Sequence, residues 1–329
     1  MTQGATLDAV DRRLLNQLQS DFPLVAQPFA VLAERLSVDE ADVLRRVEAL
    51  RQAGVLRHLS AIFDVYRVGY RSTLVAFSLP EERLAEAAAV VSAHAGVSHN
   101  YGREHEYNLW FVLAAPRSAD LEAIVADLAA RTRAIKYHIL PALKLYKIDV
   151  ELDVVGGEGN RGARAQRPRA PRRDLTPDDI ALVRALQEDL PSVSRPFVRA
   201  AEALGIAEEE LLEKARALQE EGIMRRFAAV IRHRAAGFTA NGMTCWVVPE
   251  ERLDEVGAGF GAYPQVSHCY RRPTFDDWPY NVFTMIHAQS REKCEETVRR
   301  LADDAGIHDY AILYSHTEYK KERVKYYVE

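Results

Sequence analysis

Two stretches of the chain hold most of the side chains able to do chemistry. One runs from His99 to Trp110 (HNYGREHEYNLW), the other from His268 to Phe283 (HCYRRPTFDDWPYNVF). On a strand, residues two apart share a face, so His99, Tyr101 and Arg103 point together, as do His268, Tyr270 and Arg272. Each set offers a group that exchanges a proton near neutrality, an aromatic wall and a guanidinium fork that pairs with carboxylates. Such a face suits a flat, polyanionic ligand. The alternate positions Ser98, Asn100 and Gly102 are small or polar, so neither side reads as plain core. A subunit contact is the other reading of a His/Tyr/Arg sheet face. The tips differ: Gly102 to Glu106 in the first stretch becomes Arg271 to Pro279 in the second. This Pro-bounded loop with Phe275 and Trp278 reads either as a lid or wall over a ligand, or as a small cluster packed under a loop.

Other chemistries find little support. His99 and His105 stand six apart around Glu104 without any repeating ligand pattern, so no protein metal site is expected. An exposed histidine can still ligate the iron of a haem-type molecule. His287, behind the apolar run Val282 to Ile286, reads equally as a satisfied core histidine. Cys245, Cys269 and Cys294 are odd in number, confined to the second half and unlike any zinc spacing, which argues against a disulfide framework. No Ser-His-Asp order, P-loop or dinucleotide glycine fingerprint is present.

The elements that must hold these residues come as a duplicated unit. An offset of 168 pairs Asp11 with Asp179, Leu14 with Leu182, Pro28 with Pro196, Phe29 with Phe197 and Gly54 with Gly222. The offset is 169 at His99/His268 and 173 at Tyr107/Tyr280, Asn108/Asn281 and Tyr146/Tyr319, so the second copy gains four residues at the hairpin tip. In each copy the leading part shows apolar residues at helical spacing: in the first, Asp11 to Asp21, Phe29 to Leu36 and Glu40 to Ala53, stopped by Gly54. Three short helices of this kind predict a helix-turn-helix. The trailing part predicts strand Thr73 to Leu79, helix Glu81 to Ala93, strands Val97 to Arg103 and Tyr107 to Ala114, helix Ala119 to Thr132 and strand Ile135 to Leu140. That β-α-β-β-α-β order is ferredoxin-like. The expected fold class is α+β, a tandem duplication, with helix-turn-helix units at 7–56 and 175–224 and ferredoxin-like domains at 57–154 and 225–329. Between the copies, 155–174 carries four Gly, two Pro and six Arg without apolar periodicity and reads as a flexible tether. Its basic run is otherwise a contact for an anionic ligand or RNA.

The chain has 329 residues, 48% hydrophobic and 28% charged, with a net charge of -5. Collagen-like, low-complexity and wholly disordered classes are excluded, as is any apolar run of bilayer length. With no signal-peptide pattern, a cytoplasmic location is expected. Acidity also weakens a nucleic-acid reading. The third helix holds Asp39, Glu40, Asp42 and Glu48 against three Arg, and its second-copy equivalent has six Glu against Lys214 and Arg216. Phosphates would be repelled there, whereas acids at a helix N-terminus suit a capped structural helix.

A helix-turn-helix followed by a ferredoxin-like ligand domain resembles the Lrp/AsnC transcription regulators, and the hairpin motifs resemble their enzymatic relatives, the siroheme decarboxylases. The run from His99-Asn100-Tyr101 through Tyr107-Asn108-Leu109-Trp110 is similar to one subunit type of that family. His268 to Pro273, Asp277 to Asn281 and Glu318-Tyr319-Lys320-Lys321 are similar to the other. Two separate subunits often form a heterodimer in that family, so the chain resembles a fused version whose halves pair, with assembly into a homo-oligomer left open. The resemblance implies loss of the acetate carboxyls at C12 and C18 of siroheme, giving 12,18-didecarboxysiroheme for d-type haem or alternative haem synthesis. No cofactor is implied beyond the iron tetrapyrrole substrate, because the conjugated ring spreads the carbanion's charge itself. It implies His268 or His99 as proton donor and Arg103, Arg271, Arg272 and Lys320 as carboxylate anchors. Tyr101, Tyr270, Trp110, Trp278 and Tyr280 would wall the ring, His105 would touch substrate, and Asn108 and Asn281 would orient their neighbours. Because only the second copy has the longer tip, a main site in the second half, completed by the first, is expected. The rival readings are an Lrp-like regulator and a non-catalytic tetrapyrrole carrier.

Overall fold

The computed structural model describes residues 7–20, 22–148, 173–231 and 240–328. Most of the proposed tether, 155–172, therefore lies outside the described residues. The first copy opens with helices α1 (Ala9–Ser20), α2 (Pro28–Leu36) and α3 (Glu40–Gln52), followed by strand β1 (Leu56–Phe63). Its second part contains β2 (Tyr70–Ser78), α4 (Leu84–Ala93), β3 (Val97–Arg103), β4 (Leu109–Pro116), α5 (Leu121–Thr132), β5 (Lys136–Pro141) and β6 (Lys144–Ile148). The second copy repeats the pattern with α6 (Pro177–Leu186), α7 (Val198–Leu204), α8 (Glu208–Glu220) and β7 (Met224–Ile231). There follow β8 (Ala240–Trp246), α9 (Leu253–Ala262), β9 (Val266–Arg271), β10 (Val282–Ala288), α10 (Arg291–Ala305) and β11 (Tyr310–Lys321). The α+β class and the ferredoxin-like order are as the sequence predicts. Strands β1, β6 and β7 are additional, and each makes its pairing with the opposite copy.

The two copies interlock at both levels. The helix-turn-helix units share one apolar core, in which Leu14, Phe29 and Val47 pack with Phe197, Leu211 and Phe227, and β1 pairs antiparallel with β7 beneath it. The remaining strands form one nine-stranded sheet in the order β5-β2-β4-β3-β11-β8-β10-β9-β6. Its outer strands β5 and β6 are joined through Ala142 and Leu143 alone, and the Leu143 amide bonds to the Arg271 carbonyl at 2.9 Å. The chain thus draws the sheet's two ends together and curls it around a common interior.

Each copy lends its last strand to the other. β6 pairs with β9, while the C-terminal part of β11 pairs with β3. On the helix-facing side, Tyr146 of β6 packs into the second copy's core and donates to Asp254 at 3.0 Å, while Tyr319 of β11 packs into the first copy's core. Helices α4 and α5 cover the outer face of one half and α9 and α10 that of the other. A fourth apolar cluster lies inside, built from Ala76, Tyr107, Trp110 and Leu140 of the first copy with Met243, Cys245, Trp278, Phe283 and Leu313 of the second.

Candidate active site

Register places the chemistry on the inward face. In β3, Val97 and Asn100 face the helices: Val97 belongs to the helix-side core, and the Asn100 amide donates to the Ala88 carbonyl and to Ser92 Oγ of α4, both at 3.0 Å. An irregularity between Val97 and His99 resets the alternation, and His99, Tyr101 and Arg103 point inward. β9 repeats this, with Cys269 in the helix-side core and His268, Tyr270 and then Arg272 on the inner side.

The two sets match group for group. His99 Nδ1 lies 2.9 Å from Ser98 Oγ, and His268 Nδ1 lies 2.9 Å from Ser267 Oγ. The Arg103 guanidinium sits 5.6 Å from the centre of the Tyr101 ring, and that of Arg272 sits 4.8 Å from Tyr270. Each arginine then reaches into the opposite half. Arg103 donates to the Leu313 carbonyl at 2.7 Å, and Arg272 donates to the carbonyl of Leu140, the residue equivalent to Leu313. In both, Nε is buried without a hydrogen-bond partner, and among the described residues no carboxylate pairs with either.

Electrostatics follow from this burial. Burial pushes the imidazoles of His99 and His268 down to about 4; Lys321 adds to the effect at His99, while His99 and Arg272 add to it at His268. Both are therefore neutral near pH 7. Burial lowers Arg103 to about 10 and lowers Arg272 as well. Cys245 lies wholly buried where both guanidiniums act on it; burial raises its thiol pKa against their pull, keeping it protonated. The interior is thus partly desolvated and cationic on balance, with Glu318, paired with Arg57, the carboxylate that acts on His99.

Several expected site residues stand elsewhere. Arg271 points to the outer face and pairs with Glu250, since it alternates with Tyr270 and Arg272. Lys320 also faces the helices, donating to the Ser92 carbonyl of α4 at 2.8 Å. Its neighbour Lys321, opposite His99 in the ladder, acts on both histidines instead. Asn108 and Asn281 each clamp one backbone unit, bonding the N–H and C=O of Leu79 and of Val248 respectively, so they close loops. His105, Trp110, Trp278 and Tyr280 meet at the hairpin tips in one packed cluster. Trp278 is 1% exposed, with its ring centre 5.3 Å from His105 and from Trp110 and 4.9 Å from Tyr280. Asp277 fastens this tip across the halves, accepting from Lys136 at 2.7 Å and from Tyr107 and His138 at 2.8 Å, while Phe275 stacks on His138. The second-copy tip is therefore packed and hydrogen-bonded into the molecule through Phe275, Asp277 and Trp278.

Tyr66, Arg225 and Arg57 also act on the inward residues, Tyr66 and Arg225 on Tyr270 and Arg57 on His99. They come from the segment around the β1–β7 ribbon, and nothing local in the sequence marks them. Lys321 and Asp277 do stand within the motifs that carry the resemblance.

Comparisons with known proteins agree with this architecture. The family description "AsnC-like ligand binding domain" matches residues 67–147 and 235–320, and "Siroheme decarboxylase NirDL-like HTH domain" matches 11–57 and 179–225. The chain is 39% identical to a siroheme decarboxylase of Hydrogenobacter thermophilus over 96% of this chain and 95% of that one. It is 44% identical to the siroheme decarboxylase beta subunit of Methanosarcina barkeri, over 45% of this chain and 97% of that subunit. The crystal structure of the siroheme decarboxylase NirDL in co-complex with an iron-uroporphyrin III analogue superposes with a TM-score of 0.74 at 36% identity, covering 97% of this chain and 95% of that one. The chain therefore belongs to the siroheme decarboxylase family.

Proposed function

We propose that this siroheme decarboxylase removes the acetate carboxyls at C12 and C18 of siroheme to give 12,18-didecarboxysiroheme, inside the space shared by its two halves. One observation carries the reading: two guanidiniums, that of Arg103 buried and that of Arg272 half-buried, keep a buried, unpartnered Nε on the face that holds two neutral imidazoles, with no carboxylate partner among the described residues. A buried cation is costly without its counter-ion, so the arrangement is complementary to a ligand that brings carboxylates. Tyr101 and Tyr270 hold the forks in place and offer flat surfaces to a macrocycle.

The chemistry needs little else. The bond from methylene carbon to carboxylate breaks and carbon dioxide leaves. The electron pair remains beside the pyrrole, where the conjugated ring delocalises it, and a proton from an imidazolium completes the methyl group. The histidines begin neutral, but carboxylates placed next to them offset burial and the neighbouring cations and favour protonation. Substrate thus charges the acid that it will use. Removal of water around the departing carboxylate further assists its loss.

The helix-turn-helix units act as a brace in this reading, without nucleic acid. In the first unit, Arg46 is held by Asp8, Asp11 and Asp42, each at 2.7 Å. In the second, Glu208 is buried and takes Arg195 at 2.9 Å, leaving an acidic surface at the start of α8. Among the described residues no helix is long and apolar enough to cross a membrane.

Anaerobic incubation with siroheme, followed by mass spectrometry of the tetrapyrrole, tests the proposal. Loss of two carbon dioxide units is expected. Recovery of unchanged siroheme with a shifted absorption band marks a carrier, and salt-dependent DNA retardation without turnover marks a regulator.

A further inference from the structure

The two halves differ beside their matched residues. β3 and β9, which carry the inward His, Tyr and Arg, are each flanked by the last strand of the opposite copy, β11 and β6. On the helix-facing side those flanking strands agree. Tyr319 and Tyr146 enter the helix-side cores, and Lys320 and Lys147 donate to the carbonyls of Ser92 and Tyr263, both at 2.8 Å. On the inner side they do not. Glu318 stands opposite Tyr101 and Lys321 opposite His99 in one ladder, whereas Leu145 stands opposite Tyr270 and Ile148 opposite His268 in the other. Directly opposed residues share a face, with Cβ atoms about 5 Å apart. Each histidine therefore has a fixed neighbour, a lysine in one half and an isoleucine in the other.

The charged side is held in place. Arg57 of β1 donates to the Glu318 carboxylate at 2.8 Å and to the Lys321 carbonyl at 2.7 Å, fixing the end of β11 against the ribbon. After burial, the charge of Lys321 acts most strongly on His99. Ile148 brings no charge and is 40% exposed.

Both inward arginines end on carbonyls of one apolar cluster, Arg103 on Leu313 at 2.7 Å and Arg272 on Leu140, so a single ring can meet both sets. A ring in matched surroundings has two poses. Turning siroheme over about the in-plane axis through its C5 and C15 bridges exchanges the acetates at C12 and C18 and the propionates at C13 and C17. Both poses thus offer the same groups to the matched residues. The other two rings tell the poses apart, because the C8 propionate lies beyond the C12 acetate and the C2 acetate lies beyond that at C18. A group present beside one histidine and missing beside the other can choose between them.

We infer that Lys321 sets the orientation of siroheme by pairing its ammonium with the carboxylate that flanks the acetate beside His99, while Ile148 disfavours that carboxylate beside His268. Lys321 is then a specificity-determining residue, acting on how the ring enters and not on bond cleavage. Its flexible stem carries a point charge to the carboxylate. Ile148 offers a carboxylate nothing in place of the water it would give up.

The inference rests on the decarboxylase reading, and its test reads binding alone. Ferric 12,18-didecarboxysiroheme is the probe, since it keeps the C2 acetate and C8 propionate and is not consumed. Two bound orientations give two sets of hyperfine-shifted methyl resonances, and one orientation gives one set. Wild type should show one set. Lys321→Ile should show two and bind the probe about 10-fold more weakly, as loss of a charge-assisted contact implies. Ile148→Lys should also show two sets with the native lysine still in place, so the idea does not depend on how Lys321→Ile folds. The exchanged protein, Lys321→Ile/Ile148→Lys, should return to one set, assigned by its contacts to the reversed pose. Two sets in wild type, or the same single set in all four proteins, overturns the inference. Failure of the decarboxylase reading shows separately, as a wild-type protein that releases no carbon dioxide from siroheme.

Discussion

Two kinds of inward-reaching arginine in this protein separate structure from function. Arg323 also lacks a carboxylate partner, yet it donates to Ser60 O and Oγ, Ala61 O and Ala228 O at 2.6–3.3 Å and so ties β1 to β7. Arg103 and Arg272 each reach one carbonyl and keep an unpartnered Nε. Arg103→Met or Arg272→Met should weaken siroheme binding by about 10- to 100-fold, on the order of 1.5–3 kcal/mol for a lost charged hydrogen bond, with thermal stability held or raised. Spectral titration and a melting curve measure both. The histidines make a pH prediction. Their folded pKa of about 4 lies below the unfolded value of 6.5, so the unfolded chain binds more protons between these limits. Stability is full above 6.5 and falls as pH drops from 6.5 towards 4. Siroheme binding at pH 6–7 should take up protons, seen as a binding heat that varies with the ionisation enthalpy of the buffer. Period-2 reading sufficed to find the His/Tyr/Arg faces, because strand geometry alone sets them. It could not sort Lys320 from Lys321, since an irregularity between Glu318 and Lys320 shifts the alternation.

At the level of elements, the strand exchange holds the chamber together. Gly257 of α9 permits it: a Cβ there would stand 2.4 Å from the ring of Tyr146, which β6 brings from the other half. Gly257→Val should therefore push β6 off β9, costing about 1–3 kcal/mol as other overpacked sites do, and lower the urea midpoint while leaving the helix-turn-helix core intact. An unchanged midpoint would show that the exchange contributes little. The sequence shows why this feature was hard to find. Lys144 to Ile148 is short and lacks a polar/apolar alternation, and no turn links it to its partner β9, which lies more than a hundred residues away. The hairpin-tip extension was visible as four extra residues, and its role was not. Only tertiary packing shows Phe275 on His138 and Trp278 beneath the tips, a cluster packed under the loop.

For the whole molecule, the internal repeat was the most informative property of the chain, because duplicated motifs with unequal tips already resembled two subunits fused. The structure adds that the halves share a core, a ribbon and a nine-stranded sheet, so that the inward His, Tyr and Arg of each half have counterparts in the other. Inequality at the tips suggested a dominant second half, and the equivalence of the inward residues points the other way. The most direct test counts carbon dioxide released per siroheme by wild type and by the doubly substituted His99→Asn/His268→Asn protein, with siroheme binding followed spectrally in both. The account predicts two carbon dioxide molecules from wild type and none from the double variant, which still binds. Wild-type turnover by the double variant would contradict it.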